Sequence, residues 1–87
     1  MSSIGDAKEK IAAASESADK AKEALSSVSS SVDDAVEALN EAASDSDHEK
    51  MTEALEAYQQ VAEKFDEILA LISQGQQAAN DYAESLG

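Results

Sequence analysis

Residues 4–42 read IGDAKEKIAAASESADKAKEALSSVSSSVDDAVEALNEA, and apolar side chains recur in them at alternating steps of three and four: Ile4, Ala7, Ile11, Ala14, Ala18, Ala21, Leu25, Val28, Val32, Ala35, Leu39 and Ala42. That rhythm places one stripe along a helix, and a run of this length predicts a single helix of about 40 residues and about 60 Å. The stripe is lopsided. One of its two rows holds Ile4, Ile11, Ala18, Leu25, Val32 and Leu39, whereas the other is alanine except at Val28. Both rows are expected to pack as a coiled-coil seam. Ser26, Ser27, Ser29, Ser30 and Ser31 crowd the middle of this segment. Serine competes for backbone hydrogen bonds, so this stretch is the weakest part of the helix.

A second stripe follows: Met51, Leu55, Tyr58, Ala62, Phe65, Leu69, Ile72, Gln76, Ala79, Ala83 and Leu86, broken only by Gln76. Beside it runs a further row, Ala54, Val61, Ile68, Gly75 and Tyr82, so the apolar face of this helix is wider than one neighbour needs. Val61, Ile68 and Tyr82, with Leu71 beside them, are the candidate interface residues. Tyr58 and Phe65, at seam spacing, belong to the core.

Between the stripes, Ala43-Ser44-Asp45-Ser46-Asp47-His48 interrupts the period, and the nine-residue step from Ala42 to Met51 does not keep the seam in phase. A single continuous rod is thereby disfavoured. Ser46 with Glu49 has the form of a capping box, Ser3 with Asp6 repeats it weakly, and Gly87 suits a helix end. So short a connection between long helices predicts an all-α, antiparallel two-helix hairpin, about residues 3–43 and 47–86, forming one domain over residues 1–87. Two helices leave the wide face uncovered. The expectation is that hairpins pair into a four-helix bundle, with a second copy or a related hairpin protein.

The chain of 87 residues has 19 acids against six lysines, a net charge of −13. Such a surface repels phosphates and anionic head groups, so nucleic-acid partners are not expected. No stretch approaches the roughly 18 apolar residues of a membrane span, and none is expected to insert. The first residues lack a basic region followed by an apolar run. A cytoplasmic location, or export without a cleaved signal peptide, is the expectation. With no cysteine there is no disulfide and no thiol chemistry.

Asp45, Asp47, Glu49, Glu53 and Glu56 fall at positions 1, 3, 5, 9 and 12 of a calcium-loop pattern. Against calcium, Lys50 stands where that loop needs glycine, and Met51, Leu55 and Tyr58 carry a helical period through it. An acidic cap on the second helix is the preferred reading, and neither metal nor other cofactor is expected. His48, the sole histidine, reads as a solvated turn residue. With no second histidine, no cysteine and no glycine-rich loop, nothing completes a catalytic constellation, and the chain is expected not to be an enzyme.

Charge is unevenly placed. From Asp33 to Glu56 there are nine acids and only Lys50, whereas Lys8, Lys10, Lys20 and Lys22 nearly cancel the local acids of the first helix near the other end. Hairpins aligned tip to tip would gather two acidic ends, so an antiparallel homodimer is expected.

A cysteine-free helical hairpin of this size resembles the WXG-motif family of early-secreted-antigen-like proteins from Gram-positive bacteria. The likeness spans the chain as architecture. That family typically carries Trp-x-Gly in its turn, where this chain reads Ser44-Asp45-Ser46-Asp47-His48, and its C-terminal Tyr is followed four residues later by an acid, where Tyr82 is followed by Leu86. The resemblance implies a small dimeric substrate, or a substrate's partner, in a specialised secretion system. A cytosolic adaptor or chaperone-like helical module and a self-assembling structural subunit are the alternatives open from the residues.

Overall fold

A computed structural model describes residues 3–43 and 48–87. Two helices, α1 (Ile4–Ala42) and α2 (Glu49–Ser85), lie against each other as an antiparallel hairpin measuring 65 × 17 × 15 Å. The helix bounds agree with the periodicity to within two residues.

The caps follow the local chemistry. Ser3 takes the N-cap of α1, its hydroxyl accepting from the Asp6 backbone N–H at 3.0 Å, and Asp6 places a carboxylate in the first turn. At α2 the N-cap is His48, whose ring Nδ1 accepts from the Lys50 N–H at 3.1 Å. His48 is thus exposed, as expected, but ordered by its own cap. Ser46, Asp45 and Asp47 lie outside the described residues, so the capping box expected at Ser46 does too. At the far end the Leu86 N–H donates to the Ala83 carbonyl and the Gly87 N–H to the Glu84 carbonyl, and Gly87 takes φ 106°, where a side chain would be strained.

The α2 stripe packs as its spacing predicts. All eleven of its residues, from Met51 to Leu86, are half-buried against α1, and Ala54 joins them. In α1 the Ile11, Ala18, Leu25, Val32 and Leu39 row also faces inward, but the second row is split: Ala7 and Ala35 are half-buried, whereas Ala14, Ala21, Val28 and Ala42 are exposed. In place of these four, one residue further on, stand Ser15, Lys22, Ser29 and Ala43, all half-buried, as is Val36 beside Ala35. The seam expected along the alanine row is therefore kept at Ala7 and Ala35 and corrected at Ala14, Ala21, Val28 and Ala42 by a rotation of α1.

Gln76 supplies a physical reason. Its side-chain amide donates to the Ser15 carbonyl at 3.1 Å, to Asp19 Oδ1 at 2.8 Å and, more weakly, to Ser15 Oγ at 3.4 Å. These bonds cross the hairpin and require Ser15, not Ala14, to turn toward α2. Lys22 then lays its stem along the seam while its ammonium reaches Asp19 at 3.7 Å. Ile4 remains exposed because it sits level with the end of α2 and has little to pack against.

No described residue is fully buried. The radius of gyration is 19.6 Å, against about 12 Å for a compact chain of this length. The accessible surface is 6475 Å², where a compact monomer of 9.1 kDa exposes roughly 4,900 Å². The excess, roughly 1,600 Å², is the measure of what the hairpin leaves uncovered.

Candidate functional site

The rotation of α1 divides the hairpin into two unlike faces. One shallow groove of about 300 Å³ is lined by Ala14, Ala18, Ile72, Gly75 and Ala79 with the edges of Ser15 and Gln76. Ala14 and Gly75 are therefore level across the hairpin. Steps of seven residues, about 10.5 Å of rise, carry this pairing along the molecule in opposite directions on the two strands of the hairpin. On that spacing Ala7 falls level with Tyr82, Ala21 with Ile68, Val28 with Val61 and Ala35 with Ala54, of which Ala7, Ala35 and Ala54 are half-buried and the others exposed.

The four candidate interface residues all lie on this side and are solvent-accessible: Val61 at 36%, Ile68 at 40%, Tyr82 at 57% and Leu71 at 64%. The structure adds Val28, 49% exposed, which sequence reading had assigned to the seam. Helical spacing alone does not say which neighbour of an inward row turns outward. The Gln76 bonds decide it.

Every Asp and Glu of α1 and α2 stands off this face. The paired rows contain none, and the rows flanking them outward (Lys10, Ser17, Ala24, Ser31 and Ala38 on α1; Ala57, Lys64, Leu71, Ala78 and Ser85 on α2) contain only two lysines as charges. In a chain of net charge −13 this is a strong segregation. The opposite face is mixed: its grooves set Lys8, Asn80 and Glu84 beside Ile11 and Ala83 at the open end, Asp19, Lys22 and Glu23 beside Leu69 midway, and Asn40, Thr52, Glu56 and Gln59 beside Val36 and Leu55 near the tip.

Gly75 lies on the apolar face, one heptad from Ile68 toward the open end. A Cβ built there meets nothing within 4 Å, so the hairpin itself has no need of glycine at this position. Glycine in a helix interior costs about 1 kcal/mol relative to alanine. The hollow it leaves lies open to whatever covers the face.

The acidic positions are arranged otherwise. Glu49, Glu53 and Glu56 are exposed on the first turns of α2, and Glu53 accepts from Lys50 Nζ at 3.1 Å; Asp45 and Asp47 lie outside the described residues. Among the described residues no three potential ligands gather where they would hold a metal ion. The ion pairs that form are within one helix, Asp19–Lys22, Lys50–Glu53 and Lys64–Glu67, all at i,i+3 and all exposed on at least one side. Such pairs contribute little, about 0–1 kcal/mol each. Among the described residues, no helix is long and apolar enough to cross a membrane.

No protein-family model matches the chain, and no curated protein or solved structure matches it. The likeness to the WXG-motif family is one of architecture: an all-helical chain folded as a two-helix hairpin.

Proposed function

We propose that the protein is a non-enzymatic helical interaction module that binds partner helices on its apolar face, pairing with itself into a four-helix bundle. The observation that carries this reading is the segregation of charge: the face bearing Val28, Val61, Ile68, Leu71 and Tyr82 holds no carboxylate, although acids crowd the rest of both helices. Solubility alone would spread them. A standard interface removes some 800 Å² per partner, and the hairpin's surplus of roughly 1,600 Å² leaves room for one.

The reading against catalysis rests on the side chains: no cysteine, one histidine engaged as a helix cap, and serines placed along helices. In its architecture the chain resembles the WXG-motif proteins. The role that likeness implies is a small dimeric substrate, or substrate partner, of a specialised secretion system. A secretion ATPase encoded beside it would support that assignment.

Sedimentation equilibrium tests the interaction face. The wild-type chain should form a dimer. Ile68→Glu places an unpaired carboxylate in the middle of the apolar face and should weaken it by 3 kcal/mol or more, about a hundredfold in Kd. Ala70→Glu adds the same charge at an exposed position off this face and should leave the dimer intact. Helicity should be unchanged in both. Dissociation by neither variant, or by both equally, would remove the face from the proposal.

A further inference from the structure

Given that reading of the apolar face, the structure assigns it one occupant and one register: a second copy, antiparallel, with the twofold axis passing beside Ile68 and Ala21. The argument comes from the sizes of the side chains along the face. From the open end toward the tip the pairs run Ala7/Tyr82, Ala14/Gly75, Ala21/Ile68, Val28/Val61 and Ala35/Ala54. Large pairs and hollow ones are thus arranged unequally about the middle pair.

Turning a second copy end over end about the Ala21/Ile68 level lays α1 on α1 and α2 on α2, each antiparallel. Val28 and Val61 then stand over the Ala14/Gly75 groove of the other copy, and Tyr82 stands over its Ala54. Ile68 meets its own symmetry mate. Every large exposed side chain in the rows receives a small residue or itself, and the glycine hollow that the hairpin leaves empty is filled twice. Moving the axis half a step, to between the Ile68 and Val61 levels, opposes Gly75 to Ala54 and leaves that hollow unfilled. A parallel pair sets Ala14 over Gly75, hollow over hollow, and brings two acidic tips together.

Charge points the same way. In the Ile68-centred register the helix ends at Asn40–Ala42 and Glu49–Lys50 extend past the open end of the second copy, so the acid-rich ends of the two copies lie at opposite ends of the bundle, which minimises repulsion between them. Lys10, on the rim, then comes near Asp34 of the other copy, in a chain whose rim lysines have few acids on their own face.

Because the chain contains no cysteine, single-cysteine variants read the register directly. Under a glutathione redox buffer, Ile68→Cys should convert to a disulfide-linked dimer, whereas Val61→Cys, whose two copies would be about 21 Å apart, should remain reduced. A mixture of Ala54→Cys and Tyr82→Cys should give the mixed disulfide. Self-linking by Val61→Cys with none by Ile68→Cys would overturn the register while leaving the face as the interface. A mixed disulfide between Ala21→Cys and Ile68→Cys chains, with neither linking to itself, would show a parallel pair. A wild-type chain that sediments as a monomer at every concentration would overturn the second copy altogether. A dimer that Ile68→Glu fails to dissociate would instead overturn the underlying reading of the face.

Discussion

Replacing Gln76 with alanine should reveal how strongly one polar residue sets the rotation of α1. The amide donates across the hairpin to the Ser15 carbonyl and to Asp19. A neutral hydrogen bond of this kind contributes about 1 kcal/mol net. The bond to the Asp19 carboxylate would be stronger when shielded, but that side chain is 62% exposed, which reduces its contribution to about 0.5–1 kcal/mol. Gln76→Ala should therefore destabilise the protein by about 2 kcal/mol, lowering Tm by roughly 10 °C for a domain of this size. Thermal unfolding followed by circular dichroism, at fixed protein concentration because association shifts Tm, measures the total. A double-mutant cycle with Asp19→Ala isolates the cross-helix bond and should return a coupling of about 0.5–1 kcal/mol. A coupling indistinguishable from zero, or a Gln76→Ala chain as stable as the wild type, would refute the claim that Gln76 determines which row of α1 faces inward.

Three further outcomes follow from the same structure. Ser27→Ala together with Ser30→Ala, both exposed in the serine-rich centre of α1, should raise stability by about 0.5–1 kcal/mol, read as a higher urea midpoint with unchanged slope. Raising ionic strength from about 0.01 M to 0.15 M shortens the screening length from about 30 Å to about 8 Å and should raise Tm by several degrees, since the net charge of −13 repels itself; a fall in Tm would contradict this. Titration calorimetry with calcium should give no binding heat, because Glu49, Glu53 and Glu56 project from a regular helix and Lys50 occupies the position of the loop glycine.

The two helices were legible because a three–four rhythm sustained over so many turns has one backbone solution. The α2 stripe was legible residue by residue, and so was the exposure of Val61, Ile68, Leu71 and Tyr82, since a face broader than one helix can cover must leave part of itself outside. The phase of α1 was not. Its central row has an apolar neighbour three residues away at Ala14, Ala21 and Val28, and a polar or mixed one four residues away at Ser15, Lys22 and Ser29. Hydrophobicity favours the first set, whereas the structure turns the second inward. What decides is a long-range bond from Gln76, the very residue that looked like a flaw in the α2 stripe. A local pattern cannot reveal where, sixty-one residues back, its amide finds acceptors. The segregated face emerges only after that rotation is known.

The absence of any fully buried side chain among the described residues has a calorimetric consequence. Heat-capacity change on unfolding tracks apolar surface newly exposed to water, and the hairpin leaves its apolar seam only half-covered. The increment per residue should therefore fall below that of a compact domain of this length, and the isolated chain should melt broadly, over a shallow slope.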